Sequence, residues 1–394
     1  MIVDAFYLNN LMAKWKLVLW LMAMTLSVHA QHLHVDARII DAKTGERLPF
    51  ASVYISGANS TISNAEGEFA IDADSTDVVR ISYVGYKTVH LRAVDIGQEV
   101  LLSSEGEMLG EVVVLGTDYV IQETLKRQKE EYKRFKKTRS NYFYRQVGYT
   151  DRRCQSFLES FFTARSACQL SELSLATGRY VVVASMRTIS PANFFTFAQV
   201  PVLSRQKHIP ATEQLVPLHQ GYAHGYQTDM NLFSDGERRV YVISFVPRDS
   251  NSWAVVGRLY VDAETFQLLK YEGHSTKEWV SHMKGSQAVV LPITHSFVVN
   301  YQHDNGFAEV SSVHFRTSYE ADGHTFETTG MMFNVANRYA TSRGTLRFDD
   351  SLMDIIGRQG LDSDFWQKNE IVKRTPVEEE AVEIFERDNL FGVY

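Results

Sequence analysis

LPFASVYISGANSTISNAEG, residues 48–67, decides how the front of this chain folds. Phe50, Ser52 and Tyr54 alternate with Ala51, Val53 and Ile55, two rows of opposite character, as a half-buried strand requires. Gly57-Ala-Asn-Ser60 punctuates the run, Thr61-Ile-Ser makes a short edge, and Asn64-Ala-Glu-Gly67 turns the chain into a next strand starting at Glu68. Asparagine and glycine stand where tight turns need residues that tolerate positive φ. Upstream, Asp41-Ala-Lys-Thr-Gly45 is a turn of the same kind, expected to close a hairpin between VDARII and LPFASVYI.

Working outward, Asp41, Thr44-Gly45-Glu46, Leu48-Pro49-Phe50-Ala51-Ser52-Val53, Thr61, Asn64, Glu66-Gly67, Phe69 and Ile81-Ser82-Tyr83-Val84-Gly85-Tyr86 fall in an order that resembles the carboxypeptidase-regulatory-like domain. The resemblance covers about residues 31–115, with Leu109–Val114 as a last strand. It implies a small transthyretin-like β-sandwich of a kind common in cell-envelope proteins of Bacteroidetes. What it implies is a scaffold and a compartment, not an activity.

The N-terminus agrees with that compartment. Lys14 and Lys16 precede an apolar run, Leu17–Val28, and Val28-His29-Ala30 then offers a cleavage site before Gln31, the layout of a secretory signal peptide over residues 1–30. The run is shorter than the roughly 20 residues of a membrane-spanning helix. The first residues fit this layout less well than those after Met12, so either Met1 or Met12 can be the start. Glutamine at position 31 argues against a lipid-anchored lipoprotein. Losing Asp4, Lys14 and Lys16 moves the formal charge from −7 to −8, which argues against a general nucleic-acid binder.

At 394 residues, 44% hydrophobic and 12% aromatic, the chain is long enough for two domains with ordinary cores. Residues 31–116 read as the sandwich and 117–139 as a linking helix with Ile121, Leu125, Tyr132 and Phe135 near one face, capped by Thr117 or Asp118. Residues 140–350 read as a larger antiparallel β domain. Its recurrent strand-like runs include VYVISFVP and VVGRLYVD, with a hairpin at Asp262–Thr265. This pattern resembles the half-barrels of periplasmic lipoprotein-carrier-like proteins, in which a helix covers the concave face. An apolar cavity between helix 117–137 and the sheet is the corresponding expectation. Residues 351–394 form a helical tail. Thr375-Pro-Val-Glu378 spells a capping box, and Ala381, Ile384 and Phe385 should face inward.

Few residues carry chemistry. Cys154 and Cys168 are the candidate disulfide of an exported chain. Between them and the hairpin, residues 188–235 form a weakly patterned segment holding Phe194, Phe195, Phe197, His219, Tyr222, His224 and Tyr226, the candidate ligand-binding loop. His324-Thr-Phe-Glu327 imitates a zinc pair, but on a strand positions i and i+3 point to opposite faces. No phosphate loop, nucleophile elbow or dinucleotide fingerprint occurs, and no cofactor or metal is expected. The reading is a mainly β, exported, non-enzymatic protein whose partner is an envelope protein, a glycan or a lipid-like ligand. A hydrolase built in the second domain and a structural spacer are the alternatives.

Overall fold

The computed structural model describes residues 32–56, 59–103, 115–183, 225–234, 238–249, 255–275, 294–303, 305–321, 323–335, 345–346, 352–368 and 371–391. The signal-peptide reading, the strand at 109–114 and most of the aromatic segment lie outside them. Among the described residues no helix is long and apolar enough to cross a membrane.

The first unit contains β1 (His32–Asp41), β2 (Ser52–Ile55), β3 (Ser60–Ile62), β4 (Glu68–Asp74), β5 (Val78–Ser82), β6 (Val89–Arg92) and β7 (Glu99–Leu102). They form two sheets, ordered β4-β1-β7 and β3-β2-β5-β6. Val35, Ala37, Ile39, Phe69 and Ile71 of one sheet meet Val53, Ile55, Val79 and Ile81 of the other in a single core. The alternation within β2 holds: Val53 and Ile55 are buried while Tyr54 is exposed. The Asn64 carboxamide accepts from the Glu66 and Glu68 amides at 2.9 Å, and Gly67 takes φ 74°, as that turn demands.

The expected β1–β2 hairpin does not form. Asp41 does turn the chain, accepting from the Lys43 and Thr44 amides at 2.7 and 2.8 Å. The chain then crosses to the opposite sheet through Phe50, which holds φ 65°. β1 pairs with β4 and β7 instead, leaving only an Ile40–Arg47 bridge where the hairpin would start. Turn chemistry marks where a chain bends and says nothing about which layer it joins.

Helix α1 (Thr117–Phe135) follows, with Gly116 at the cap position and no side-chain cap. Then come β8 (Arg139–Thr150), β9 (Arg153–Arg165), β10 (Ser171–Val182), β11 (Tyr226–Ser234), β12 (Arg239–Pro247), β13 (Val255–Asp262), β14 (Leu268–Ser275), β15 (Thr294–Gln302), β16 (Glu309–Ala321) and β17 (His324–Val335). They make one antiparallel sheet ordered β10-β9-β8-β17-β16-β15-β14-β13-β12-β11. The Asp262–Thr265 turn lies between β13 and β14 as read from sequence, its Asp262 carboxylate accepting from the Glu264 and Thr265 amides.

Both faces of this sheet are used. On one, Val120, Ile121 and Leu125 of α1 join a core with Tyr142, Tyr144, Phe162, Tyr271 and Phe297. The other receives the tail helices α2 (Leu352–Gln359), α3 (Ser363–Lys368) and α4 (Pro376–Arg387) in part, and the sandwich. Trp366, Val372 and the sandwich residue Ile62 pack on Phe143, Phe161 and Met331, while Val382 and Phe385 pack on Val147 and Phe157. Helix α2 is the exception, since its Leu352 and Ile356 join the α1-side core. This double cover explains the nearly continuous burial of β8 and β9, against the alternation along β11. The capping box of α4 is present, but Ile384 is 39% exposed and Val382 takes the inward place expected for it.

Candidate functional site

Besides Ile62, Phe50 and Tyr83 of the sandwich touch the large sheet, and a cleft lies beside them. Phe50 stacks on His314 of β16 with ring centroids 3.7 Å apart, and Tyr83 lies over the Lys270 ammonium of β14 at 4.9 Å. The cleft encloses about 1490 Å³. Its roof is the sandwich turn at Asn64–Glu68 with Arg38, Arg47 and Pro49, and one wall is the start of α4, Thr375–Glu378.

Its floor follows from strand register. One row of side chains runs Val147, Thr329, Arg316, Ser296, His274, Val256 across six neighbouring strands. The row beside it runs Arg145, Met331, His314, Val298, Glu272, Arg258, Ser244 across seven. At the usual strand spacing the longer row spans about 29 Å. Glycines Gly257, Gly273 and Gly330 stand beneath these rows, each opposite a phenylalanine on the α1 side of the ladder: Phe245, Phe297 and Phe315.

Six arginines and six carboxylates line the cleft. Most are engaged with one another. Arg38 donates to Glu68 at 2.7 Å, Arg47 pairs with Glu66, Arg316 pairs with Glu327, and Arg258 stands 3.9 Å from Glu272. Burial pushes the Glu68 and Glu272 carboxyls up, but Arg38 on the first and Lys270 on the second outweigh it, so both end below the usual range. The Asp151 carboxyl is also lowered, first by its hydrogen bond from His324. A carboxylate held ionised cannot serve as a general acid near neutrality.

Behind the α4 wall lies a buried ion cluster. Glu159 accepts from Arg145 at 2.8 Å through one oxygen and from Arg179 at 2.7 Å through the other. Burial would raise the Glu159 carboxyl, yet the two guanidiniums hold it at about 2. Arg145 also donates to the Val372 carbonyl at 2.8 Å and Arg179 to Glu386 at 2.9 Å, so the tail closes over the cluster.

Several residues selected from sequence fall elsewhere. Phe194, Phe195, Phe197, His219, Tyr222 and His224 lie outside the described residues. Tyr226 is not in a loop: it opens β11 and is buried against Phe245. Cys154 and Cys168 are free thiols. Cys154 is the second residue of β9 and Cys168 lies three residues past its end, and the strand between them alone spans about 36 Å, so the expected disulfide cannot close. His324 pairs with Asp151 and Glu327 with Arg316, so the His-x-x-Glu pair does not converge. Among the described residues no group of three or more His, Cys, Asp or Glu could hold a metal. The cavity expected beneath α1 is occupied, among the described residues, by the core around Ile121 and Leu125 and by Glu131, which accepts from Gln267 and the Ala308 amide. The cleft lies on the opposite face. Its charged floor could have been suspected from Arg258, Glu272, Arg316 and Glu327, each at the outward position of an otherwise apolar alternation.

Three comparisons bear on relationship. A curated relative, the TonB-dependent receptor SusC of Bacteroides thetaiotaomicron, is 32% identical over 106 residues, 26% of this chain and 10% of the receptor. The chain thus spans about a tenth of the length of the relative it matches. Solved structures similar to it include a LolA superfamily protein from Nitrosomonas europaea, at 11% identity and TM-score 0.21, covering 56% of this chain and 94% of that one. MucB in complex with MucA(peri) matches at 12% identity and TM-score 0.17, covering 54% and 93%. Scores this low leave the large sheet to be understood from its own residues. A family model described as CarboxypepD_reg-like domain matches residues 37–114, which takes in most of the seven-stranded sandwich, and this chain therefore carries a CarboxypepD_reg-like domain at its front.

Proposed function

We propose that this chain is a non-enzymatic binding protein of the bacterial cell envelope that holds its ligand between the sandwich and the ten-stranded sheet. The observation that carries the reading is the cleft of about 1490 Å³, larger than ordinary small-ligand pockets and walled by both units and the tail. Its carboxylates Glu68, Asp151 and Glu272 are stabilised as anions, which suits fixed hydrogen-bond acceptors better than proton donors. The envelope assignment draws on the 32% identity of 106 residues of this chain with a Bacteroides receptor and on the leader-like residues 1–30.

The test is native mass spectrometry of the chain purified from envelope fractions of its own host. Ser296 is exposed on the cleft floor, so Ser296→Trp intrudes on the middle of the cleft without disturbing a core. A retained ligand that is lost in Ser296→Trp is the expected result. A ligand retained equally by both forms would place binding elsewhere, and a bare chain from every fraction would overturn the reading.

A further inference from the structure

We propose that the cleft takes a neutral oligosaccharide. The inference rests on the cleft being the binding site and narrows the ligand to one chemical class.

Charge comes first. Arginines and carboxylates around the cleft are equal in number and largely tied to one another, on the roof as Arg47–Glu66 and on the floor as Arg316–Glu327 and Arg258–Glu272. An anionic ligand would have to compete with these carboxylates for the guanidiniums, and a cationic one with the guanidiniums for the carboxylates. A neutral ligand leaves every pair intact. The pairs then present donors and acceptors in fixed positions, with the orientation cost already met.

Two other neutral classes fit less well. A lipid chain would strip water from ion pairs without returning a hydrogen bond. A peptide in extended form binds best to an unpaired strand edge. The cleft floor is instead the face of a continuous ladder, in which the backbone groups of β8 and β12–β17 are spent on neighbouring strands. Only side chains meet the ligand there, and hydroxyl groups, each donor and acceptor at once, match that mixed surface. The part of the floor that stays open, Thr329 to Val256 across five strands, spans about 19 Å, which suits a chain of several sugar units more than a single one.

The experiment is isothermal titration of the full mature chain with neutral hexasaccharides of glucose, mannose, galactose and N-acetylglucosamine. Hexagalacturonate, an extended neutral peptide and phosphatidylethanolamine vesicles serve as the competing classes. The expected result is binding of at least one neutral hexasaccharide, with affinity changing less than twofold between 50 and 500 mM salt. Replacing the pair together, Arg316→Leu with Glu327→Leu, should weaken it at least tenfold while thermal unfolding stays near the parent. Ser296→Trp should weaken it at least tenfold. Preference for hexagalacturonate, for the peptide or for vesicles, lost in Ser296→Trp, overturns the sugar class and leaves the cleft reading standing. Neutral-sugar binding untouched by Ser296→Trp overturns both. No binding by any neutral hexasaccharide overturns the proposal.

Discussion

Phe315 of β16 lies across the ladder from Gly330 of β17, and its ring fills the space that any side chain on Gly330 would need. Two further glycines face rings, but other atoms crowd them first: a Cβ on Gly257 would meet the Glu272 carbonyl oxygen before the Phe245 ring, 2.8 Å away, and one on Gly273 would meet Val255 before the Phe297 ring, 3.3 Å away. Glycine weakens a strand by leaving a gap in its face, and a cross-strand aromatic ring refills it. Gly330→Ala should therefore destabilise the chain by about 1–3 kcal/mol through overpacking. In a Phe315→Ala background the same change should cost far less, because the clash is gone. Urea unfolding of the four forms checks this. Equal costs in both backgrounds would mean the ring and the glycine are not coupled.

These glycines mark the limit of what the residues reveal in order. The sandwich was legible because Asp41, Asn64 and Gly67 make turns by local chemistry, and because Val53 and Ile55 alternate with polar neighbours. The β1–β2 pairing was misread, since Phe50 carries the chain into the other layer and no local signal says so. The cleft was not legible at all. Arg316 and Ser296 are neighbours only through the register of β15 and β16, and Phe50 meets His314 across 264 positions of sequence. Register is fixed by which faces are covered, and here both covers come from distant segments.

His314 makes the docking of the sandwich sensitive to acid. Burial drives its imidazole down to about 3, and Lys270 adds to the effect. Phe50 covers it from a left-handed backbone conformation that itself costs a non-glycine residue about 1–2 kcal/mol. In the unfolded chain the ring titrates near 6.5, so below that pH the unfolded state takes up a proton that the folded one refuses. Stability from this residue is whole above 6.5 and is lost as pH falls toward 3, by about 2 kcal/mol at pH 5. His295, also lowered to about 3 by burial, acts in the same direction. His314→Leu should flatten the decline between pH 6.5 and 5 without removing it, since His295 remains. An unchanged slope in thermal melts over that range would contradict this account.

Both cysteines should behave as protected free thiols. Burial, with Glu378 nearby, pushes the Cys154 thiol up to about 12, and burial with Glu131 raises Cys168 as well. Thiolate is the reactive form, so alkylation of the native chain at pH 8 should be slow at both positions. Unfolded without reductant, the chain should titrate two thiols per molecule. A mass two units lower, with no titratable thiol, would mean that β9 does not separate the two residues as described.

The strongest dependence should lie at Glu159. Its two oxygens are shared between Arg145 and Arg179, and all three side chains are about 3% exposed. Neutralising the carboxylate by Glu159→Gln leaves two buried guanidiniums without the anion they share, a change that typically costs about 3–5 kcal/mol. The loss should reach the tail first. Arg145 also holds the Val372 carbonyl, Arg179 also holds Glu386, and the Trp366 and Phe391 rings lie 5.0 and 4.6 Å from the Arg179 guanidinium. Hydrogen exchange should therefore rise over residues 371–391 in Glu159→Gln before it rises in the sandwich core. Acid should reproduce the effect in the parent chain at a lower pH than the histidine step. A carboxyl lowered to about 2 contributes fully above 4.5 and loses its contribution as pH falls from there through 2. If Glu159→Gln leaves exchange in the tail unchanged, the cluster does not hold the tail, and the contacts of Val382 and Phe385 alone do so.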